Sequence, residues 1–252
     1  MTYPIAAAHG DEEAAGASYA GLFVRAERDS VLDQLVGRRF SGWVGPQQDA
    51  WVLAVASSAA GPVAGEGRPV EVLTAEVAGA LATVAIAVRV HRDQVLYLAG
   101  WHAGEHLGDY VSDPSVEAPD QPTEEVDPYG GRESYGMVEA FPEPQGAWHA
   151  PAFATACGHP DAAEELGELL GQTLDHDSVF ESERLAQALR LLGLPAWLVS
   201  APSLPGDVPG GPARADLVQL GAGRSGLGGR ITGLVTGMVR RRRRPAIGRP
   251  PD

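Results

Sequence analysis

Two histidines bracket Glu105 in the stretch from His102 to His106, which has the order His, Ala, Gly, Glu, His. This order matches one class of zinc metalloprotease, in which both histidines bind the metal and the glutamate acts as general base. The chemistry requires both histidines on one face of a helix. Here Ala103 and Gly104 favour a two-residue hairpin turn in which His102 pairs with Glu105. The histidines would then face opposite sides of a sheet, so we expect a polar hairpin tip without a metal or other cofactor.

Cys157 is the only cysteine of the chain, and it lies two residues before His159 and eight after His149. A cysteine near a histidine is the pattern of a nucleophile activated by a base. The alternative is a small buried hydrophobe, because Cys157 follows an apolar stretch at 152–156. A single cysteine also excludes an internal disulfide and a cysteine-rich metal site.

Two further stretches have the residue types of known functional signatures. Asp175 to Ser178 contains the members of a Ser, His, Asp triad, but neighbours in sequence seldom converge on one substrate atom. A helix cap by Ser178, with Glu181 three residues later, explains the stretch with fewer assumptions. Glycines 221, 223 and 226 have the spacing of a dinucleotide-binding loop, which requires an acidic residue about 20 positions later. The first acid after this motif is Asp252, so a glycine hinge is the better interpretation.

The composition of the chain excludes several classes of enzyme. All 19 basic residues are arginine, which excludes Schiff-base chemistry with pyridoxal phosphate and the lysine-dependent phosphate loop. The net charge of −14 disfavours non-specific binding of nucleic acid or anionic lipid by the body of the protein. No apolar run approaches the about 20 residues of a membrane span, and no signal peptide is recognisable. We therefore expect a cytoplasmic protein.

The C-terminal tail reverses the charge of the chain. Residues 1–216 hold 11 arginines against 32 acids, whereas residues 217–252 hold 8 arginines against one acid. Five arginines are consecutive, and they are Arg240, Arg241, Arg242, Arg243 and Arg244. Such a block repels itself and cannot be buried, so we expect it to contact an anionic partner. An acidic protein, a membrane surface and a nucleic acid all remain open as that partner.

The clearest structural signal is a strand around residues 84–90. Val84, Ile86, Val88 and Val90 alternate with smaller or polar residues, which predicts a strand buried on one face within an antiparallel sheet. The apolar patterns predict further elements before and after it. The strands are expected at 22–25, 40–44, 51–55, 95–100, 105–111, 197–199 and 217–220, with a turn at Gly45, Pro46 and Gln47. The helices are expected at 30–36 with Asp29 or Ser30 as cap, around Leu73, Val77, Ala80 and Leu81, at 160–170 with Asp161 and Glu164 in the cap, and at 178–192, where Gly193 ends the helix.

These elements predict an α+β protein with an antiparallel-sheet module, two helices, an acidic linker and a mainly helical second part. Residues 112–147 form the linker or long loop, since they carry six prolines, nine acids and one arginine. The full division is a loose N-terminal arm at 1–17, the α+β module at 18–111, the linker at 112–147, the helical part at 148–220 and the basic tail at 221–252.

None of these sequence motifs is strong enough to assign a catalytic residue. The sequence favours a non-catalytic interaction or adaptor module whose tail arginines contact the anionic partner. The alternative is a hydrolase that uses some combination of His102, Glu105, His106, Cys157 and His159.

Overall fold

The computed structural model describes residues 16–114, 143–173 and 180–221. Its centre is a seven-stranded sheet that is antiparallel throughout, so the predicted α+β class is confirmed. In chain order the strands are β1 Tyr19–Val24, β2 Gly42–Gln48, β3 Trp51–Ala56, β4 Val84–His91, β5 Val95–His102, β6 Glu105–Val111 and β7 Val218–Leu220. In space their order is β6, β5, β4, β1, β3, β2, β7. The last of the described strands therefore lies at the opposite edge from the β4 to β6 meander.

Strand β4 alternates as predicted, but both of its faces are buried. Ile86 and Val88 belong to one core cluster, whereas Ala85 and Ala87 belong to another on the opposite face. The prediction of a half-buried strand was therefore wrong about the second face. Alanine is small enough to let a helix approach the sheet closely on that side.

The alanine face is covered by two helices, α1 (Arg28–Gly37) and α2 (Val70–Leu81). The buried stripe of α2 includes Thr74 and Ala78, each one residue after the predicted Leu73 and Val77, and this rotation turns Ala80 to solvent. Helix α1 begins two residues earlier than predicted, after Glu27, without a side-chain cap. The expected cap at Asp29 or Ser30 was wrong, because both residues already lie in the first turn.

The opposite face is covered by residues from the far side of the predicted linker. Helices α3 (Ala150–Cys157), α4 (Ala163–Gly171) and α5 (Glu181–Leu191) pack there, together with a 3₁₀ segment over Ala196–Ser203. Helix α4 follows a 3₁₀ turn at Pro160–Ala162 and has no side-chain cap, so the expected capping by Asp161 and Glu164 was wrong. The core residues of these helices share one cluster with Ile86 and Val88. The helical part and the sheet thus have a common core.

Two local predictions failed around Trp197. The expected turn at Gly45 to Gln47 lies inside β2, where the register with β3 shifts between Val44 and Gln47. A Cβ on Gly45 would lie 2.7 Å from the Trp197 ring, so this glycine makes room for the indole. Trp197 itself lies in the 3₁₀ segment rather than in a strand, and its Nε1 donates to Gln48 Oε1 at 3.1 Å. Proline at the start of that segment and again within it favours such a helical turn over a paired strand.

The first turn of α5 is capped by the hairpin between β4 and β5. Asp93 has φ of 56°, a left-handed value that aspartate tolerates better than most residues. Its carbonyl oxygen accepts the N–H of Glu181 at 3.0 Å, and its Oδ1 accepts the N–H of Ser182 at 2.7 Å. A distant hairpin therefore performs the role that the sequence assigned to Ser178, which lies outside the described residues.

The C-terminal end of α5 is the one that the sequence predicted. Gly193 has φ of 64°, and its N–H donates to the Arg190 carbonyl at 3.2 Å. The N–H of Leu194 donates to the Leu189 carbonyl at 2.8 Å. These two bonds define the Schellman motif, in which glycine avoids the strain of a side chain at positive φ. The prediction that Gly193 stops the helix is confirmed.

A buried ion pair lies beside the capped end of α5. Glu181 and Arg184 are 1% and 2% exposed, and their side chains approach to 3.5 Å. Arg184 also donates to the Tyr110 hydroxyl on β6 and to the Gln172 carbonyl after α4. Burial raises the pKa of Tyr110, so its hydroxyl stays neutral. Because a buried charge is stable only when it is paired and hydrogen-bonded, this network fixes α5 against both β6 and α4.

The substitution Asp93→Ala should weaken the attachment of α5, because it removes the side-chain acceptor for the Ser182 N–H. We expect the free energy of unfolding, measured by urea denaturation at pH 7, to fall by about 1–2 kcal/mol, the usual effect of a lost helix cap. Asp93→Asn keeps an acceptor and a tolerance for positive φ, so it should lose less than about 0.5 kcal/mol. Equal losses in the two variants would contradict the capping role.

Candidate functional site

The hairpin tip at His102 to His106 has the geometry predicted from the sequence. Ala103 and Gly104 form the turn with φ of 52° and 88°. His102 pairs with Glu105 and Trp101 pairs with His106. Because neighbouring strand residues point to opposite faces, the two histidines cannot bind one ion. Across the described residues, no group of three or more His, Cys, Asp or Glu side chains could hold a metal.

His106 instead joins a cluster that the sequence did not predict. Its Nε2 lies 3.0 Å from Asp109 Oδ1, and the Tyr97 hydroxyl donates to that same oxygen at 2.9 Å. The His106 ring also lies 5.5 Å from the ring of Trp101. His106 and Asp109 remain about half exposed. The arrangement can hold an imidazole in a fixed orientation at the protein surface.

A bulge explains why sequence periodicity missed this cluster. Residues three apart on a regular strand point to opposite faces. In β6 the register shifts between Gly100 and Trp101 of the partner strand, and Gly108 takes φ of 144°. The extra residue brings His106 and Asp109 to the same face. The glycine at 108 was the only signal in the sequence that could have suggested the bulge.

The cluster continues across the sheet towards α2. The guanidinium of Arg89 lies 5.2 Å from the centre of the Tyr97 ring, and Arg89 Nε lies 3.2 Å from Glu71 Oε1. Glu71, Arg89, Tyr97, Asp109 and His106 therefore form a continuous polar row. The row includes an arginine and a tyrosine, two of the residue types that contribute most often to binding at protein interfaces.

Cys157 lies in an environment that opposes nucleophilic chemistry. Its side chain is buried, and this burial raises the pKa of the thiol to about 12 despite the nearby Arg25 guanidinium. The His159 ring packs against Gly193, where a Cβ would lie 2.3 Å from His159 Nε2. The His149 ring packs in the same way over Gly108. A catalytic cysteine needs a thiolate near neutral pH, so the structure favours the buried hydrophobe.

An open groove of about 530 Å³ lies between α4 and α5. Leu169 and Leu191 line it and are only partly buried. Glu165 and Glu168 are exposed on the α4 side, and Arg190 is exposed on the α5 side. Gln172 and Gln187 also line the groove, so its surface is mostly polar, with Leu169 and Leu191 as a short apolar strip and two glutamates against one arginine. Such a surface suits a segment that carries both apolar and positively charged side chains.

Several predicted features lie outside the described residues. These are most of the N-terminal arm, most of the predicted linker at 112–147, the Asp175 to Ser178 stretch, the glycine motif beyond Gly221 and Arg240 to Arg244. The described chain ends at Gly221, directly after β7 at the sheet edge. Among the helices that are described, none has the length and apolar character needed to cross a bilayer.

Comparison of the chain with models of protein families, with curated proteins and with solved structures finds no match.

The first prediction for these sites concerns the thiol. A rise of the pKa of Cys157 from 9.0 to about 12 lowers the thiolate fraction at pH 8 by about a thousandfold. We therefore expect iodoacetamide to alkylate the folded chain at pH 8 at least about a hundredfold more slowly than the urea-unfolded chain. Similar rates in the two states would show that Cys157 is accessible and would reopen the catalytic alternative.

The second prediction concerns zinc. Since the hairpin places His102 and His106 on opposite faces, we expect no stoichiometric zinc in the purified protein when it is measured by elemental analysis. Zinc added in equimolar amount should be removed by gel filtration. About one retained zinc per chain, lost in His102→Ala but kept in His91→Ala, would contradict the arrangement of the hairpin tip.

Proposed function

We propose that the protein is a non-catalytic interaction module whose tail, through Arg240 to Arg244, contacts an anionic partner. The observation that carries this proposal is the charge reversal along the chain. Residues 1–216 have a net charge of −21, and residues 217–252 have a net charge of +7. A polyanion is repelled by the first part and attracted by the second.

The attachment point of the tail supports this role. The tail follows β7, and β7 pairs only with β2 among the described strands. A segment that leaves from a sheet edge can extend away from the acidic body. Arginine then contributes flat, bidentate hydrogen bonding to phosphate or carboxylate groups as well as charge.

The tail would recognise closely spaced negative groups, whichever class of macromolecule carries them. An acidic protein, an anionic membrane surface and a nucleic acid all present closely spaced phosphates or carboxylates. The structure gives less support to the hydrolase alternative. The two histidines of the hairpin lie on opposite faces of the sheet, and burial raises the pKa of the Cys157 thiol. The cytoplasmic location stays a prediction of the sequence.

Binding to a polyanion should depend steeply on salt. If five arginines contact phosphates of duplex DNA, the logarithm of the binding constant should fall with the logarithm of salt concentration with a slope approaching about −4. Fluorescence anisotropy of a labelled duplex measures this slope. Anionic vesicles and polyglutamate, titrated in the same way, distinguish the three sources of negative charge.

Three altered chains test whether the tail is responsible. A chain in which Arg240 to Arg244 are replaced by glutamine should lose binding to whichever polyanion the native chain binds. The variant Arg39→Gln/Arg92→Gln removes exposed positive charge from the folded part, so it should bind normally. Equal binding by the native chain and a chain ending at Leu220 would remove the tail from the function.

A further inference from the structure

The groove between α4 and α5 is incompletely filled by the helices that form it. Leu166 and Leu170 of α4 point into the core and are fully buried. Leu169, on the neighbouring side of the same helix, packs only partly and lines the groove with Leu191 of α5. Leucine side chains in this position gain stability when a further apolar surface covers them.

The tail contains a segment whose pattern fits such a groove. Ile231, Leu234, Val235, Met238 and Val239 recur at the i, i+3, i+4, i+7 and i+8 positions. This spacing gives one apolar stripe on a helix. Arg240 to Arg244 follow directly, so the segment couples an apolar face to a strong positive charge.

The tail is long enough to cross the sheet to the side where this groove lies. Five strand intervals separate β7 from β5, in the order β7, β2, β3, β1, β4, β5, and each interval is about 4.8 Å, which gives about 24 Å. Helix α5 packs over β5. Ten residues lead from Gly221 to Ile231, and an extended chain of that length spans about 33–36 Å.

We propose that residues 231–244 dock in the groove between α4 and α5 of their own chain. The apolar stripe covers Leu169 and Leu191, and the arginines lie along the α4 wall at Glu165 and Glu168. The wall formed by α5 carries Arg190, whose Nε donates to the Ala186 carbonyl at 3.0 Å. Arg190 is one positive charge against the two negative charges of Glu165 and Glu168, so the lining keeps a net negative charge that attracts the arginines.

The docked state is weak enough to be reversed. Gly233 and Gly237 lie on the side of the segment away from the apolar stripe, where they leave contact with the groove intact. Each costs about 1 kcal/mol of helix stability relative to alanine, so the segment gains its helical form from the groove and not by itself. The proposal concerns a contact within the chain and does not require the anionic partner. Where both exist, groove and partner compete for the same arginines.

Trypsin tests the docking, because every cleavage site in the tail is an arginine. Mass spectrometry gives the early cleavage rate at Arg240 to Arg243 relative to the rate at Arg224; Arg244 precedes Pro245 and is not cleaved. If the segment is docked about nine-tenths of the time, Glu165→Gln/Glu168→Gln should raise this relative rate about tenfold. The control Glu164→Gln/Glu183→Gln removes the same charge outside the groove and should leave the rate unchanged.

A second pair of variants changes the tail and leaves the described fold untouched. Leu234→Asp/Met238→Asp places charge on the apolar stripe and should raise the relative rate about tenfold. Thr232→Asp/Thr236→Asp adds the same charge beside the stripe and should leave the rate within about twofold of the native value.

Three results would overturn the proposal. The first is an unchanged cleavage rate in both groove and stripe variants. The second is an equal acceleration by the control variants, which would indicate a general effect of charge. The third is protection that disappears on dilution of the protein, since this would place the tail on a second copy of the chain.

Discussion

The whole fold depends on the fact that the central sheet is apolar on both faces. Side chains such as Ile86 and Val88 point to one face, and Ala85 and Ala87 to the other. The helices of the first part cover only the alanine face. Water would contact the valine and isoleucine face unless residues beyond 143 packed against it, and exposure of so much apolar surface is unfavourable. The helices α3 to α5 are therefore a layer of the same core, and β7 completes the sheet at its far edge.

Polar interactions then fix the position of helices α3 to α5 on the sheet. Apolar packing alone has little directional preference, whereas hydrogen bonds and buried charges do. Asp93 accepts hydrogen bonds from the first turn of α5, and Gly193 ends the helix in a Schellman motif. Between them, Arg184 connects α5 to Tyr110 on β6 and to the end of α4. These contacts leave the outer sides of α4 and α5 facing solvent, with the groove between them.

The parts of the structure set by local chemistry could be predicted from the sequence. The alternation in β4, the turn at Ala103 and Gly104 and the stop at Gly193 each follow from neighbouring residues. Three of the failures depend on contacts between segments that the local pattern does not show. Trp197 needs the space above Gly45, Asp93 caps a helix far along the chain, and the His106 and Asp109 pair requires a register shift that periodicity cannot reveal. The sequence left open whether its two parts share one core, because a shared core is a property of packing and not of pattern.

The most direct test of a shared core is to cut the chain and ask whether its pieces stay together. A specific protease site placed within residues 115–142 allows the two sides to be separated covalently. If α3 to α5 and β7 complete the core of the sheet, the cut protein should elute from gel filtration as one particle with both pieces, and urea should then separate and unfold them in a single transition. Two pieces that elute separately without denaturant, each still folded, would contradict the account.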